Sequence, residues 1–336
     1  MTVSRRLFLS GLPALAAPAW AGEKTLVQGA GASFPQPVYA AWAAQYRRQG
    51  GVEIRYEAIG SGAGLERMER GELDFGATDV PLAAAELQRL GLVQFPAIVG
   101  GVVPVLNLGG IKPDGLRLSG AVLADIYLGR IAKWNDPALA RLNPGIDLPS
   151  SRITVVHRAD SSGTSYLWSE FLSRSSTAWR EQFGTGKQTL AWPTGVAERG
   201  NEGVASAVQR TRASIGYVEF AYARQHRLGT ASVQNREGRF VQAGLDSFKA
   251  AVEAGGDLQQ QQQLLVDAPG ASSWPIAGAS FILLRRNARN VELLKFFGWA
   301  LRHGQPWATG LDYLPLPAAA VDLVEQRWAE QLGWKP

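Results

Sequence analysis

The run His157-Arg158-Ala159-Asp160-Ser161-Ser162-Gly163-Thr164-Ser165 gathers a guanidinium, a carboxylate and several hydroxyls around one glycine. A β-branched run, Ile153-Thr154-Val155-Val156, precedes it, and apolar residues at helical spacing over 166–172 follow. The run therefore reads as a strand-to-helix loop. At a helix start, backbone N–H groups point outward with the positive end of the helix dipole behind them, which suits an anion. Ser162 and Thr164 add hydroxyls, Gly163 allows close backbone approach, and Arg158 offers a bidentate cationic fork. Asp160 belongs in such a site if it holds Arg158 in place; otherwise the loop is an N-cap beside a surface ion pair.

Two earlier stretches repeat this chemistry. Ser33 and Phe34 follow Gly29-Ala30-Gly31-Ala32, and Ser61 lies in Ile59-Gly60-Ser61-Gly62-Ala63-Gly64; each precedes a helical pattern. Asp79 ends the strand-like run Leu73-Asp74-Phe75-Gly76-Ala77-Thr78. An ionised carboxylate only accepts hydrogen bonds, so Asp79 either receives a proton from a ligand or caps the helix starting near Ala83.

Other chemistries find less support. His157, His226 and His303 do not fall in metal-ligand spacing, and the chain contains no cysteine, so a zinc site is not expected. His157 points away from Arg158 if the strand continues, as a packed residue rather than a base. The Gly-x-Gly at 29–31 lacks the third glycine of a dinucleotide fingerprint, no P-loop Gly-Lys-Ser/Thr occurs, and Gly60-Ser61-Gly62 has the wrong spacing for a nucleophile elbow. Asp79 and Asp160 could pair as hydrolytic carboxylates, but no local aromatic cluster accompanies them.

The elements that would position these loops alternate between strand and helix, which indicates an α/β fold. Helices are expected over 37–48, 65–70, 83–90, 118–127, 166–172, 204–210 and 291–302, with a last amphipathic helix after Pro317. Strands are expected over 52–56, 73–78, 153–156 and 214–220. The longest extended stretch, 95–107, carries Gly100-Gly101, read as a bend leading into a crossover between lobes. The stretch 274–284 is expected to return, and the glutamine run 259–263 to lie within a helix. Ligands of such sheets bind beyond the carboxyl ends of strands, so an anion between two lobes would be touched from both.

A chain of 336 residues exceeds what one core usually serves, so two lobes are expected. With 46% hydrophobic and 19% charged residues, the composition is globular. The formal charge of +5 is interspersed, without the basic runs of a nucleic-acid binder, and favours small anions. Arg5-Arg6, the short apolar stretch 7–17 and Ala19-Trp20-Ala21 read as an export signal cleaved after Ala21, of the twin-arginine type or, alternatively, with the arginine pair as the charged start of an ordinary secretory signal. No cysteine is available for disulfides or lipidation, and no later stretch could span a bilayer. A soluble periplasmic protein is expected.

The chain resembles the family of periplasmic phosphate-binding proteins of phosphate-specific ABC transporters. The likeness rests on Gly29-Ala30-Gly31-Ala32-Ser33-Phe34-Pro35, Ile59-Gly60-Ser61-Gly62, Asp74-Phe75-Gly76-Ala77-Thr78-Asp79-Val80-Pro81-Leu82, Phe95-Pro96 with Gly100-Gly101-Val102-Val103, and Asp125-Ile126-Tyr127-Leu128-Gly129 with Trp134. Arg158-Ala159-Asp160-Ser161-Ser162-Gly163-Thr164-Ser165, Ile215-Gly216-Tyr217-Val218-Glu219 and Trp274-Pro275-Ile276 complete it. The resemblance implies a two-lobed type II periplasmic binding fold, with two mixed sheets flanked by helices and joined by two crossovers. Residues 22–105 and 274–336 would form one lobe, and 106–273 the other. It further implies a monomer that binds inorganic phosphate without cofactor, metal or catalysis and docks on the permease subunits of an importer. The implied phosphate contacts are Ser33, Phe34, Ser61, Asp79, Arg158, Asp160, Ser162, Gly163 and Thr164. Ser33 stands where threonine is common, Gly62 where serine often follows Ser61, and Ser161 where glycine is usual. Alternatives are a secreted phosphatase on this scaffold or a binding protein for another oxyanion such as sulfate.

Overall fold

The computed structural model describes residues 26–111, 115–255, 265–287 and 291–334. The expected export signal and the glutamine run lie outside these residues. The chain opens with β1 (Leu26–Gly31), α1 (Gln36–Arg48), β2 (Glu53–Ala58), α2 (Ser61–Arg70), β3 (Phe75–Thr78) and α3 (Ala84–Leu90). The long β4 (Leu92–Asn107) leads to β5 (Leu116–Leu118), α4 (Gly120–Tyr127), α5 (Pro137–Leu142), β6 (Thr154–Arg158), α6 (Gly163–Ser175) and α7 (Thr177–Phe183). Then come β7 (Val196–Glu198), α8 (Gly200–Arg210), β8 (Ser214–Glu219), α9 (Phe220–Gln225), β9 (Gly229–Gln234), β10 (Phe240–Val241) and α10 (Leu245–Gly255). The chain ends with β11 (Ala277–Arg285), α11 (Val291–His303), α12 (Gln305–Gly310) and α13 (Ala318–Leu332).

The strands follow one curled path, β2-β1-β3-β11-β4-β8-β6-β7, with β9 also beside β4. The path divides into two mixed halves. In the first, β1 runs parallel to β2 and β3, while β11 lies antiparallel between β3 and β4. In the second, β8 is antiparallel to β4, and β6 is parallel to β8 and β7. β4 belongs to both: Leu92 to Gly101 pair with β11, and Val102 to Asn107 with β8. The register of β4 and β11 slips at Ser280–Phe281, opposite Pro96, which has no N–H to give the ladder.

Gly100 and Gly101 make room where β4 passes from one half to the other. A Cβ on Gly101 would stand 2.2 Å from the Phe248 ring, and one on Gly100 would stand 2.9 Å from Phe34 and from Glu219. At the handover Val102 N–H donates to Ile276 C=O at 2.9 Å, and Trp274 Nε1 donates to Val102 C=O at 3.0 Å. The outgoing and returning segments therefore lie side by side.

One hydrophobic cluster runs through both halves and contains the buried indoles of Trp42, Trp134, Trp168, Trp179, Trp274 and Trp328. Several of these spend their N–H on a carbonyl, Trp42 on Gly304 and Trp134 on Ala213, which removes the cost of burying it. A smaller cluster under α2 and α3 holds Met68, Leu73, Leu82, Leu87 and Leu283.

Several boundaries differ from expectation. Leu118 closes β5 instead of opening a helix. Leu116 and Leu118 are buried on either side of exposed Arg117, a strand alternation, and the Ser119 hydroxyl caps α4 by accepting from Val122 N–H. Phe220 opens α9, because the Glu219 carboxylate accepts from Ala221 N–H and ends the strand. Helices α2, α6 and α8 each begin a turn before their apolar periodicity.

Candidate functional site

The early helix starts converge at the handover between the two half-sheets. α2 begins directly after Gly60, whose φ of +96° suits a residue without a Cβ. A Cβ there would also stand 2.6 Å from an Asp160 carboxylate oxygen. From the second half, the Ser162 hydroxyl caps α6 by accepting from Ser165 N–H at 3.0 Å, and Gly163 begins the first turn. A Cβ on Gly163 would lie 2.5 Å from Asp79 Oδ2 and 2.6 Å from Ser61 Oγ. Glycine at 163 is thus what lets the two helix starts meet.

The hydroxyl groups share one arrangement. Ser33 Oγ accepts from Asn201 N–H at 3.0 Å and from Asn201 Nδ2 at 2.9 Å. Ser61 Oγ accepts from Gly163 N–H at 3.1 Å and, at 3.4 Å, from Asp79 N–H. Thr164 Oγ1 accepts from Asn201 Nδ2 at 3.2 Å. A hydroxyl has two lone pairs and one proton, so lone pairs engaged by N–H donors leave the proton for something else. Ser33, Ser61, Ser162 and Thr164 are all buried.

Arg158 leaves the end of β6 and is held by Asp160, with Nε on Oδ1 at 2.7 Å and Nη2 on Oδ2. Gly200 N–H adds a third bond to Asp160 Oδ1 at 3.1 Å. Burial works to raise the Asp160 pKa, but Arg158 and Gly200 outweigh it and hold the carboxyl below its ordinary range. Arg158 Nη1 is buried and has no hydrogen-bond partner among the described residues. His157, on the opposite face, stacks on Trp192 at 4.9 Å and carries a pKa lowered by burial, as a packed residue would.

Asp79 is the counterpart. Its Oδ1 accepts from Ser280 Oγ at 2.8 Å, while its buried Oδ2 has no hydrogen-bond partner among the described residues. Burial pushes its pKa up to about 7, against the lowering effects of the Ser280 hydroxyl and the Arg158 charge. Asp79 does not cap α3, whose N-cap is Ala83 with no side-chain cap. Phe34 brings no side chain to these groups. Its ring is in the core beside Tyr313, and its carbonyl accepts from Tyr313 Oη at 2.6 Å.

The sequence-expected residues thus come together, and others join them. Asn201 touches both Ser33 and Thr164. Ser280 orients Asp79. Tyr222 Oη donates to the Ser33 carbonyl at 2.6 Å, and Tyr217 Oη lies 2.6 Å from Ser165 Oγ. Asn201 sits in Gly200-Asn201-Glu202-Gly203, another small polar helix start, so the signal that marked the other loops marks it too. Ser280 is a single hydroxyl in an apolar strand and has no local signature.

A model described as a PBP superfamily domain matches residues 16–303. A protein of Pasteurella multocida (strain Pm70), named phosphate-binding protein PstS, is 47% identical over 315 residues, covering 91% of this chain and 90% of that one. The chain belongs to the PstS family of the PBP superfamily. A PstS of Methanocaldococcus jannaschii is 35% identical over 323 residues, covering 87% of this chain and 82% of its own. Among solved structures, a periplasmic phosphate-binding protein (PfluDING) bound with phosphate superposes with a TM-score of 0.70 at 20% identity, over 90% of this chain and 93% of that chain. A phosphate-binding protein from Stenotrophomonas maltophilia gives 0.69 at 21% identity, over 91% and 94%. These neighbours fix the fold as the type II binding-protein fold. The matched span, 16–303, takes in both half-sheets and Ser33, Ser61, Asp79, Arg158, Asp160, Ser162, Gly163, Thr164, Asn201 and Ser280.

Proposed function

We propose that this chain captures inorganic phosphate between two lobes and delivers it to the permease subunits of an ABC importer. The observation that carries this reading is the polarity of the buried site. Hydroxyl protons at Ser33, Ser61, Ser162 and Thr164 and the spare Nη1 of Arg158 offer donors, with Asp79 Oδ2 as a spare acceptor among them. Such a set fits an anion of several oxygens that still carries a proton. Near neutral pH phosphate keeps at least one proton to give Asp79; sulfate has none. The phosphate-binding names of the relatives support the same reading. The lobes would be 22–105 with 274–336 and 106–273, with β4 and the stretch leading into β11 as crossovers.

The reading is of a binding protein rather than an enzyme. The site hydroxyls accept from backbone and amide N–H groups, and the relatives are named as phosphate-binding proteins. Export through residues 1–21 would place the protein in the periplasm as a monomer, and no described helix is long and apolar enough to cross a membrane. Calorimetry with phosphate and sulfate tests the reading. The parent should bind phosphate and reject sulfate. Asp79→Asn, which offers an N–H in place of the acceptor, should raise sulfate affinity relative to phosphate by at least tenfold, since an unpaired buried partner costs ~1–3 kcal/mol or more. An unchanged ratio in a folded variant would remove Asp79 as selector.

A further inference from the structure

Asn201 is fully buried and joins three parts of the chain through one short side chain. It is the second residue of α8, so its backbone N–H is one of the helix-start donors without an intrahelical partner. That N–H goes to Ser33 Oγ at 3.0 Å, and the side-chain Nδ2 reaches the same oxygen at 2.9 Å. Nδ2 also donates to Thr164 Oγ1 at 3.2 Å. The amide oxygen faces the other way and accepts from Glu219 N–H at 3.0 Å. Glu219 is the last residue of β8, paired with Val102 where β4 passes between the half-sheets.

We propose that Asn201 is a positioning residue that turns the Ser33 and Thr164 hydroxyl protons toward the bound anion and latches the first half-sheet to the second. This inference rests on the phosphate-binding reading above. Two N–H donors occupy both lone pairs of Ser33 Oγ, so that hydroxyl can only donate its proton onward. Thr164 Oγ1 is likewise used as an acceptor by the amide. Neither hydroxyl donates to another protein group among the described residues. The bond from Glu219 N–H fixes the amide orientation: with oxygen toward Glu219, the NH2 group must face the hydroxyls. Because Ser33 follows β1 while Asn201 lies in α8, the two bonds to Ser33 form only when the two halves approach, whereas the bond to Thr164 stays within the second half. The latch should therefore slow phosphate release more than it speeds capture.

The test is a cycle of variants read by phosphate affinity and by release rate. Asn201→Ala should weaken phosphate binding roughly tenfold to hundredfold, the loss expected for bonds serving a charged ligand, mostly through faster release. In a Ser33→Ala/Thr164→Val background the same change should cost less than about threefold, because the hydroxyls it orients are gone. Asn201→Asp keeps the acceptor for Glu219 N–H but presents an oxygen to both hydroxyls, so it should bind phosphate more weakly than Asn201→Ala. If Asn201→Ala fails to fold, Asn201→Ser, neutral and too short to span both hydroxyls, carries the cycle. A residue that merely supports the fold would cost the same in both backgrounds, and that result would overturn the proposal. Unchanged phosphate affinity in Asn201→Ala, with Arg158→Ala still damaging, would overturn it while leaving the phosphate reading intact. A parent that binds no phosphate would overturn both.

Discussion

At the scale of single residues, the site is governed by where protons are held. Asp79 has its pKa pushed up to about 7 by burial, above the 3.8 of an exposed aspartate. Between those values the folded, unliganded chain keeps a proton that the unfolded chain has released. Stability therefore falls as pH rises through that window, with the full cost present above about pH 7 and relieved below about pH 4. Asp79→Asn has nothing to titrate there. Relative to the parent, it should gain stability from pH 4 to pH 7 by on the order of a few kcal/mol, measured by denaturant melts without phosphate. Parallel curves across that range would mean that Asp79 titrates normally. The loops bearing Arg158, Ser61 and Ser33 were legible in sequence because a cation and hydroxyls beside glycines announce an anion. Ser280 was not, since it reaches Asp79 only through the pairing of β11 with β3, strands far apart in sequence, which no local pattern encodes.

At the scale of elements, the consistent discrepancy is also the informative one. Apolar periodicity places helix starts at 65, 166 and 204, whereas α2, α6 and α8 begin at Ser61, Gly163 and Gly200. In each case the first turn is built of small or polar residues, which carry no apolar pattern. Those turns are where N–H groups remain to be given away, so the part that periodicity cannot see is the part that forms the site. Gly163 tests whether the two helix starts must touch. Its backbone carries no positive φ, so alanine is tolerated conformationally, yet the added Cβ would stand 2.5 Å from Asp79 Oδ2 and 2.6 Å from Ser61 Oγ. Gly163→Ala should leave the unliganded melting temperature within a few degrees of the parent and weaken phosphate binding at least tenfold. Parent-like affinity would show that α6 need not close on α2.

At the scale of the whole molecule, the two halves are neither sequential nor separate. The first sheet takes β1 to β3 from the start of the chain and β11 from near its end, while the second is assembled from the middle. The alternation of strands and helices gave the class, and the long extended stretch gave the connection. What sequence could not show is that β4 is a working strand of both sheets rather than a linker. Its glycines receive Phe34 and Phe248 against the backbone, so residues from both sides share one core. An intact β4 cannot serve one sheet after the other has melted, because Val102 to Asn107 and Leu92 to Gly101 continue a single backbone. Heat should therefore unfold the protein in one transition, with calorimetric and van't Hoff enthalpies in agreement, despite a length usual for two domains. Phosphate should raise that single midpoint by mass action. At a free concentration of about a hundred times Kd the gain is ~2.7 kcal/mol, a shift of roughly 5 °C for a chain of this size. Two resolved transitions without phosphate, merging when it is added, would mean that the lobes fold independently and that the ligand, not β4, couples them.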